Sequence, residues 1–283
     1  MDAWRVIRDG PRSASFNMAA DAYLFERAQD SSHTPVLRLY AWDKSSITIG
    51  FHQTLERAVD CRHLGDTPVV RRITGGRALL HDNGELTYAI AGNYLHQAIL
   101  GDTLAASYHI IAEAIIRFYR LLGWPAAMAR RDDPVLLSGS SGIQKGCFAS
   151  VSRFEITAYG QKLAASSQRR GRDALIQHGA IRIAPPARHP AIIDRPQTVA
   201  GEAFWSPAGP RGDLETAMIR ACEETFGVAL VEESFSEPEL ALIGELTRSY
   251  KNLSADDDLI KQHPASNSPE YGGEGCQEGQ KTS

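Results

Sequence analysis

The chain has 283 residues, 43% of them apolar, enough to bury the core of one large or two small domains, which excludes a fibrous or wholly disordered protein. Against 30 Lys and Arg stand 34 Asp and Glu, and the formal charge of −4 arises in Ser254–Ser283, where six acids face two bases. Residues 1–253 are balanced and lack the basic field that coating a nucleic acid requires, so no nucleic-acid partner is expected.

In chain order, Asn17 is the expected cap of a helix through Met18–Phe25, followed by short β runs at Val36–Tyr40 and Ser46–Gly50. Val69–Arg72 leads into the bend Thr74-Gly75-Gly76 and then Ala78–Leu80; past Asp82-Asn83-Gly84, residues 85–90 alternate with period two. The two Gly-bearing turns predict antiparallel hairpins. After a cap at Asp102 or Thr103, a single apolar helical stripe runs through Leu104, Tyr108, Ile111, Ile115, Phe118 and Leu122, stopped by Gly123 and Pro125. Phe154–Tyr159 alternates up to a Gly160-Gln161 turn, with Lys162–Ser166 as the expected return strand, and Leu175–Ile183 is a further strand. Leu214, Met218 and Ala221 mark a helix that stops at Gly227, and Ser236-Glu237-Pro238-Glu239 is a capping box for a last helix carrying Leu240, Ile243, Leu246 and Tyr250. From Ser254 onward the chain is too poor in apolar residues to offset the entropy of ordering, and residues 254–283 are expected to be a disordered acidic tail.

No apolar run reaches the ~18–20 residues that cross a bilayer, and the first residues lack the apolar stretch of a secretory signal; a cytoplasmic protein with no membrane partner is expected. Cys61, Cys147, Cys222 and Cys276 form no CxxC pair and read as reduced thiols, Cys61 and Cys222 as structural ones. The nine histidines include no HExxH and no pair at helical spacing, so no metal site is expected.

Arg130–Arg172 is the most basic stretch, with a local net charge of +5, and reads either as a solvated face or as a surface for an acidic partner or phosphorylated ligand. Within it, Cys147 follows the Ser/Gly-rich segment 137–142. A free thiol of pKa ~8.5 becomes a nucleophile when a nearby cation lowers that value, and Lys162 is the candidate cation. Arg71, Arg72 and Arg77 bracket Thr74, Gly75 and Gly76: three guanidinium groups around a bend whose backbone amides can face an anion or a carbonyl oxygen, with a plain hairpin turn as the alternative. His81 and His178 lie beside strands, where a histidine is more often structural than catalytic.

Arg71-Arg72-Ile73-Thr74-Gly75-Gly76-Arg77-Ala78-Leu79-Leu80-His81-Asp82, followed by Glu85-Leu86-Thr87-Tyr88, resembles the signature loop of the lipoate-protein ligase, octanoyltransferase and biotin-protein ligase superfamily. Further resemblance lies in Ser46–Gly50 with Phe51-His52-Gln53-Thr54, in Gly160-Gln161-Lys162-Leu163-Ala164-Ala165-Ser166-Ser167-Gln168, and in Gln177-His178-Gly179-Ala180-Ile181. Cys147-Phe148 falls where cysteine-dependent octanoyltransferases of the Gram-positive type have their nucleophile, although the Asp and Pro of that motif are Ala149 and Val151 here, and a family glycine after the lysine is Ala165.

The resemblance implies an α+β catalytic domain over residues 1–253, with a mixed, largely antiparallel sheet covered by helices. It implies a protein octanoyltransferase in lipoate biosynthesis: the Cys147 thiolate takes an octanoyl group from octanoyl-acyl carrier protein, and a lysine of a lipoyl-domain protein, such as glycine cleavage H protein or a dehydrogenase E2, accepts it. Lys162 would share the catalysis. Arg71, Arg72, Thr74, Gly75, Gly76, Arg77, His81, Ser166 and His178 would bind substrate. No cofactor is expected. The alternatives are a lipoate-protein ligase, which would need ATP and Mg²⁺, and an amidotransferase between lipoyl domains. An ordered part ending near Tyr250 leaves no room for the accessory domain that many ligases carry, which favours acyl transfer.

Overall fold

The computed structural model describes residues 3–129, 154–159, 161–185, 187–193 and 209–253, apart from the Gln97 side chain. Cys147, the basic residues from Arg130 to Arg153 and the segment from Ser254 lie outside the described residues.

In chain order the elements are β1 (Ala3–Arg12), α1 (Ala14–Ala28), β2 (Val36–Trp42), β3 (Ser46–Ile49), α2 (Leu55–Ala58), β4 (Val69–Arg71), β5 (Leu79–His81) and β6 (Glu85–Asn93). There follow α3 (Gln97–Leu100), α4 (Leu104–Leu121), β7 (Ala127–Met128), β8 (Ile156–Ala158), β9 (Gln161–Lys162), β10 (Ala164–Arg170), β11 (Ala174–Arg182), α5 (Arg211–Phe226), β12 (Ala229–Glu232) and α6 (Glu237–Thr247). Six strands form the main sheet in the order β10-β11-β6-β2-β1-β12, in which β1 runs parallel to both neighbours and the remaining pairs are antiparallel. This is the mixed, largely antiparallel sheet expected.

Both faces of the sheet are covered. Because strand side chains alternate, Leu37 and Leu39 of β2 and Leu86, Tyr88 and Ile90 of β6 pack with α4 and α5, while Val36, Tyr40, Ala89 and Ala91 pack with α1 and α6. Burial on both sides explains why β2 and β6 read as nearly continuous apolar runs. Small sheets β4-β3-β5 and β7-β8-β9 flank the main one. Among the described residues, no helix is long and apolar enough to cross a membrane.

Several local expectations are corrected. Helix α1 begins earlier: Ser13 is its N-cap and accepts from the Phe16 amide, while Asn17 is buried inside the helix and donates Nδ2 to the Ala41 carbonyl at 2.9 Å. The expected hairpins around Gly75-Gly76 and Asn83-Gly84 do not form. Strands β4 and β5 flank β3, the first parallel to it and the second antiparallel, and β6 belongs to the main sheet. A glycine turn marks where a chain bends but not which strand it then meets, and here β3 fills the space between the two arms.

The hairpin after Phe154 does form, Thr157 opposite Lys162, but its return arm ends there. The chain then crosses at buried Leu163 into β10 of the main sheet. The caps at Thr103 and Ser236 and the stop at Gly227, whose φ is +68°, are as read. Cys222 is buried, whereas Cys61 is exposed rather than part of the core.

Candidate active site

A cavity of about 510 Å³ opens between the β10–β11 end of the main sheet and the loop joining β4 to β5. Its loop wall depends on glycine. Gly76 sits at φ +91°, where a side chain is strained, and a Cβ on Gly50 would lie 1.9 Å from the Gly76 carbonyl oxygen.

The arginines of the signature loop turn inward. Arg72 is 6% exposed and donates to the Gly75 carbonyl at 2.8 Å, the Arg77 carbonyl at 2.7 Å and Thr48 Oγ1 at 3.1 Å. It thereby pins the loop to β3. Arg71 donates to the carbonyls of Gly50, Phe51 and Gln53. Arg72, Gly75, Gly76, Arg77 and His81 line the cavity; Arg71 is not among the described lining residues.

Two histidine–carboxylate pairs stand at this cavity. His81 on β5 lies with Nδ1 2.7 Å from Glu85 Oε1 and Nε2 2.8 Å from Thr48 Oγ1, its ring stacked on Trp42. His178 on β11 lies with Nδ1 2.7 Å from Asp21 Oδ2 and Nε2 2.6 Å from Thr74 Oγ1, and Thr74 Oγ1 is 2.6 Å from Ser167 Oγ. Asp21 also accepts from Arg38 Nη1 at 2.9 Å and Tyr40 Oη at 2.8 Å, and Arg38 reaches Asp9 at 2.6 Å. Burial raises the Asp21 pKa, but the hydrogen bond from His178 and the charge of Arg38 outweigh it and hold the carboxyl below its ordinary range. Burial, with Asp21 beside it, pushes the Tyr40 hydroxyl well up, so it stays a donor.

Lys162 enters from the end of β9, its Nζ 2.6 Å from Glu155 Oε2, with both side chains about nine-tenths buried. The Tyr119 hydroxyl, between the carbonyls of Leu163 and Arg182 at 2.9 and 2.6 Å, fixes the crossing into β10 just after it. Ser166 Oγ accepts from the Tyr88 hydroxyl at 2.8 Å. Met18, Leu79, Leu104, Tyr108 and Phe154 supply apolar wall. Leu104 and Tyr108, read as the start of a core stripe, thus face the cavity. The site can hold an apolar chain with a buried cation and a row of hydroxyls at its polar side. Among the described residues no cluster of His, Cys, Asp or Glu could hold a metal ion.

Of the residues expected from the sequence, Arg72, Gly75, Gly76, Arg77, His81, Lys162, Ser166 and His178 line one cavity, and Thr74 lies just behind it. Asp21, Arg38, Glu155 and Ser167 were not singled out. The available signal was a charge inside an apolar pattern: Asp21 within Met18–Phe25, and Arg38 between Leu37 and Leu39. A charge in such a place is buried, and a buried charge needs a partner.

The main sheet and its two helical layers are those of a lipoate-ligase-type catalytic domain. The structure matches a putative lipoate protein ligase of T. acidophilum solved with bound lipoic acid, with a TM-score of 0.67 and 22% identity, covering 88% of this chain and 96% of that one. It also matches a lipoate-protein ligase A solved with ATP, with a TM-score of 0.65 and 21% identity, covering 88% and 95%. The chain belongs to the lipoyl protein ligase A/B catalytic domain family, whose model matches residues 13–190.

Among its relatives, octanoyltransferase LipM of Kyrpidia tusciae is 37% identical over 183 residues, 64% of this chain and 66% of that protein, just under two thirds of its length. Octanoyltransferase LipM of Moorella thermoacetica is 34% identical over 271 residues, 88% and 96% of the two chains. The Clostridioides difficile protein of that name is 29% identical over 272 residues, 89% and 97%.

Proposed function

We propose that this protein is an acyltransferase of lipoate metabolism that moves an octanoyl group from acyl carrier protein to a lysine of a lipoyl domain. The observation that carries the reading is the cavity itself, apolar on one side, with Lys162 buried at its polar side. The octanoyltransferase relatives that align over nearly their full length support the acyltransferase class. A structure of similar fold is a bipartite lipoate protein ligase described with its E2 lipoyl domain, which supports a lipoyl-domain acceptor.

In this reading the Cys147 thiolate attacks the thioester carbonyl of octanoyl-acyl carrier protein. A new C–S bond forms, and the pantetheine thiolate leaves and takes up a proton. The lysine amine of the lipoyl domain then attacks the acyl-enzyme; the C–N bond forms, the C–S bond breaks and the cysteine is regenerated. Lys162 holds positive charge for the thiolate and the oxyanion. The loop pinned by Arg72 brings the Gly75-Gly76 backbone close to the acyl chain. No nucleotide is required.

Octanoyl-acyl carrier protein without ATP is expected to add one octanoyl mass to the protein, removable by neutral hydroxylamine and missing in Cys147→Ala. Labelling that persists in Cys147→Ala, or ATP-dependent attachment of free lipoate that survives this change, overturns the reading in favour of a ligase.

A further inference from the structure

The two histidine pairs are built alike but end differently. A carboxylate only accepts, so in the neutral ring Nδ1 carries the hydrogen toward the acid and Nε2 accepts from the threonine hydroxyl. For His81 the chain stops there. Thr48 Oγ1 accepts from the fixed guanidinium of Arg72, which makes this pair a brace for the loop.

For His178 it continues. With its own hydrogen committed to His178, Thr74 Oγ1 accepts from the hydroxyl of Ser167, which lines the cavity. Ser167 stands directly opposite His178 in the β10–β11 register, so the two side chains share one face of the sheet and Thr74 closes over both. Every hydrogen in the row points away from the cavity: Ser167 toward Thr74, Thr74 toward His178, His178 toward Asp21. The exposed end is an oxygen lone pair.

We propose that Ser167, Thr74, His178 and Asp21 form a proton relay serving the acceptor lysine, an inference that rests on the octanoyl-transfer reading above. A lysine side chain is almost wholly protonated at neutral pH, with fewer than about one in 10³ uncharged. It sheds one proton to water to become the attacking amine, and its nitrogen must lose a second as the C–N bond forms. That second proton passes to Ser167 Oγ while the Ser167 hydrogen moves to Thr74 and the Thr74 hydrogen to His178 Nε2. The resulting imidazolium faces the Asp21 carboxylate, which Arg38 and Tyr40 hold ionised. Collapse of the tetrahedral adduct breaks the C–S bond and releases the thiolate, and His178 returns its proton to solvent along the same row of hydroxyls. Asp21, His178 and Thr74 are positioning residues in this scheme; Ser167 meets the substrate.

The test separates the two half-reactions. The acyl-enzyme is formed with octanoyl-acyl carrier protein and followed by intact mass; its discharge is then timed with a lipoyl domain and, separately, with hydroxylamine, a much weaker base that is uncharged at neutral pH. Thr74→Val is expected to slow discharge to the lipoyl-domain lysine by about 10²-fold or more, the usual worth of a general base, while hydroxylamine discharge falls far less. Thr74→Ser, which restores the hydroxyl, is expected to recover the lysine rate, and Ser167→Ala should behave as Thr74→Val does. Discharge to lysine at the wild-type rate in Thr74→Val overturns the relay, as does an equal loss of acylation and of both discharge reactions, which would mark a structural hydroxyl. If the wild-type protein takes up no octanoyl mass, it is the functional reading that fails.

Discussion

Lys162 reaches the cavity from a two-residue strand, with its charge balanced by Glu155 at 2.6 Å in a nearly dry setting. A cation held this way is worth far more to a developing anion than one in water, because little solvent screens it. Lys162→Ala is therefore expected to lower the transfer rate by ~10²–10³ and to raise the pH midpoint of iodoacetamide labelling at Cys147 toward the free value of ~8.5. Lost transfer with an unmoved midpoint would assign Lys162 to the oxyanion or the incoming amine instead. Lys162, His178 and the Gly75-Gly76 bend were readable in the sequence because each lies in a short block with its own pattern. Asp21 and Glu155 were not, because a carboxylate acquires its role from a partner 157 residues away in one case, and from the folding of a hairpin in the other.

Helix α6 appears where the sequence places it because its starting signal is complete within four residues. Ser236 and Glu239 satisfy each other's backbone amides, and Glu239 also receives Arg5 of β1 at 2.7 Å, tying the last helix to the first strand. Burial raises the Glu239 pKa, but the Arg5 and Ser236 hydrogen bonds outweigh it and bring it down to about 2, from 4.5 ordinarily. A folded-state value below the unfolded one means that the unfolded chain takes up the proton first as pH falls. The stabilisation is thus present above about pH 4.5 and is lost as pH drops toward about 2. Urea midpoints of Glu239→Gln should lie below those of the native protein above pH 4.5 and converge with them toward pH 2. Parallel curves would show that the carboxylate contributes nothing to the docking of α6. Pairing, by contrast, was illegible at this scale: nothing in Val69–Arg71 or Leu79–His81 announces that Ser46–Ile49 lies between them.

Among the described residues, the main sheet's most distant pairing sets Ala3 of β1 against Ala229 of its edge strand β12, and no local pattern encodes a contact of that separation. The fold class was readable through the family blocks; the strand order was not. The same distinction applies to charge. Counted along the chain, Arg169, Arg170 and Arg172 look equivalent, but the fold separates them. Arg169 lies over the rings of Phe25 and Phe51, 5.2 and 5.4 Å from their centroids, and Arg170 lies over Tyr94 while donating to Ser107 Oγ and the Asp102 carbonyl, each at 3.0 Å. Arg172 is exposed. The first two side chains therefore also serve packing, whereas Arg172 carries its charge without that role. Replacing Arg169 or Arg170 by glutamate would confuse a loss of stability with a loss of attraction, which makes Arg172→Glu the informative change. If this surface meets an acidic partner, one of the two readings of the basic stretch, attraction acts on encounter. Raising salt beyond ~0.15 M, where the Debye length is ~8 Å, should then lower kcat/KM more than kcat. In Arg172→Glu, kcat/KM should start lower at low salt and fall less steeply, with kcat and the unfolding midpoint near those of the native protein. A native kcat/KM that ignores salt would show that Arg172 belongs to a solvated face and does not steer encounter.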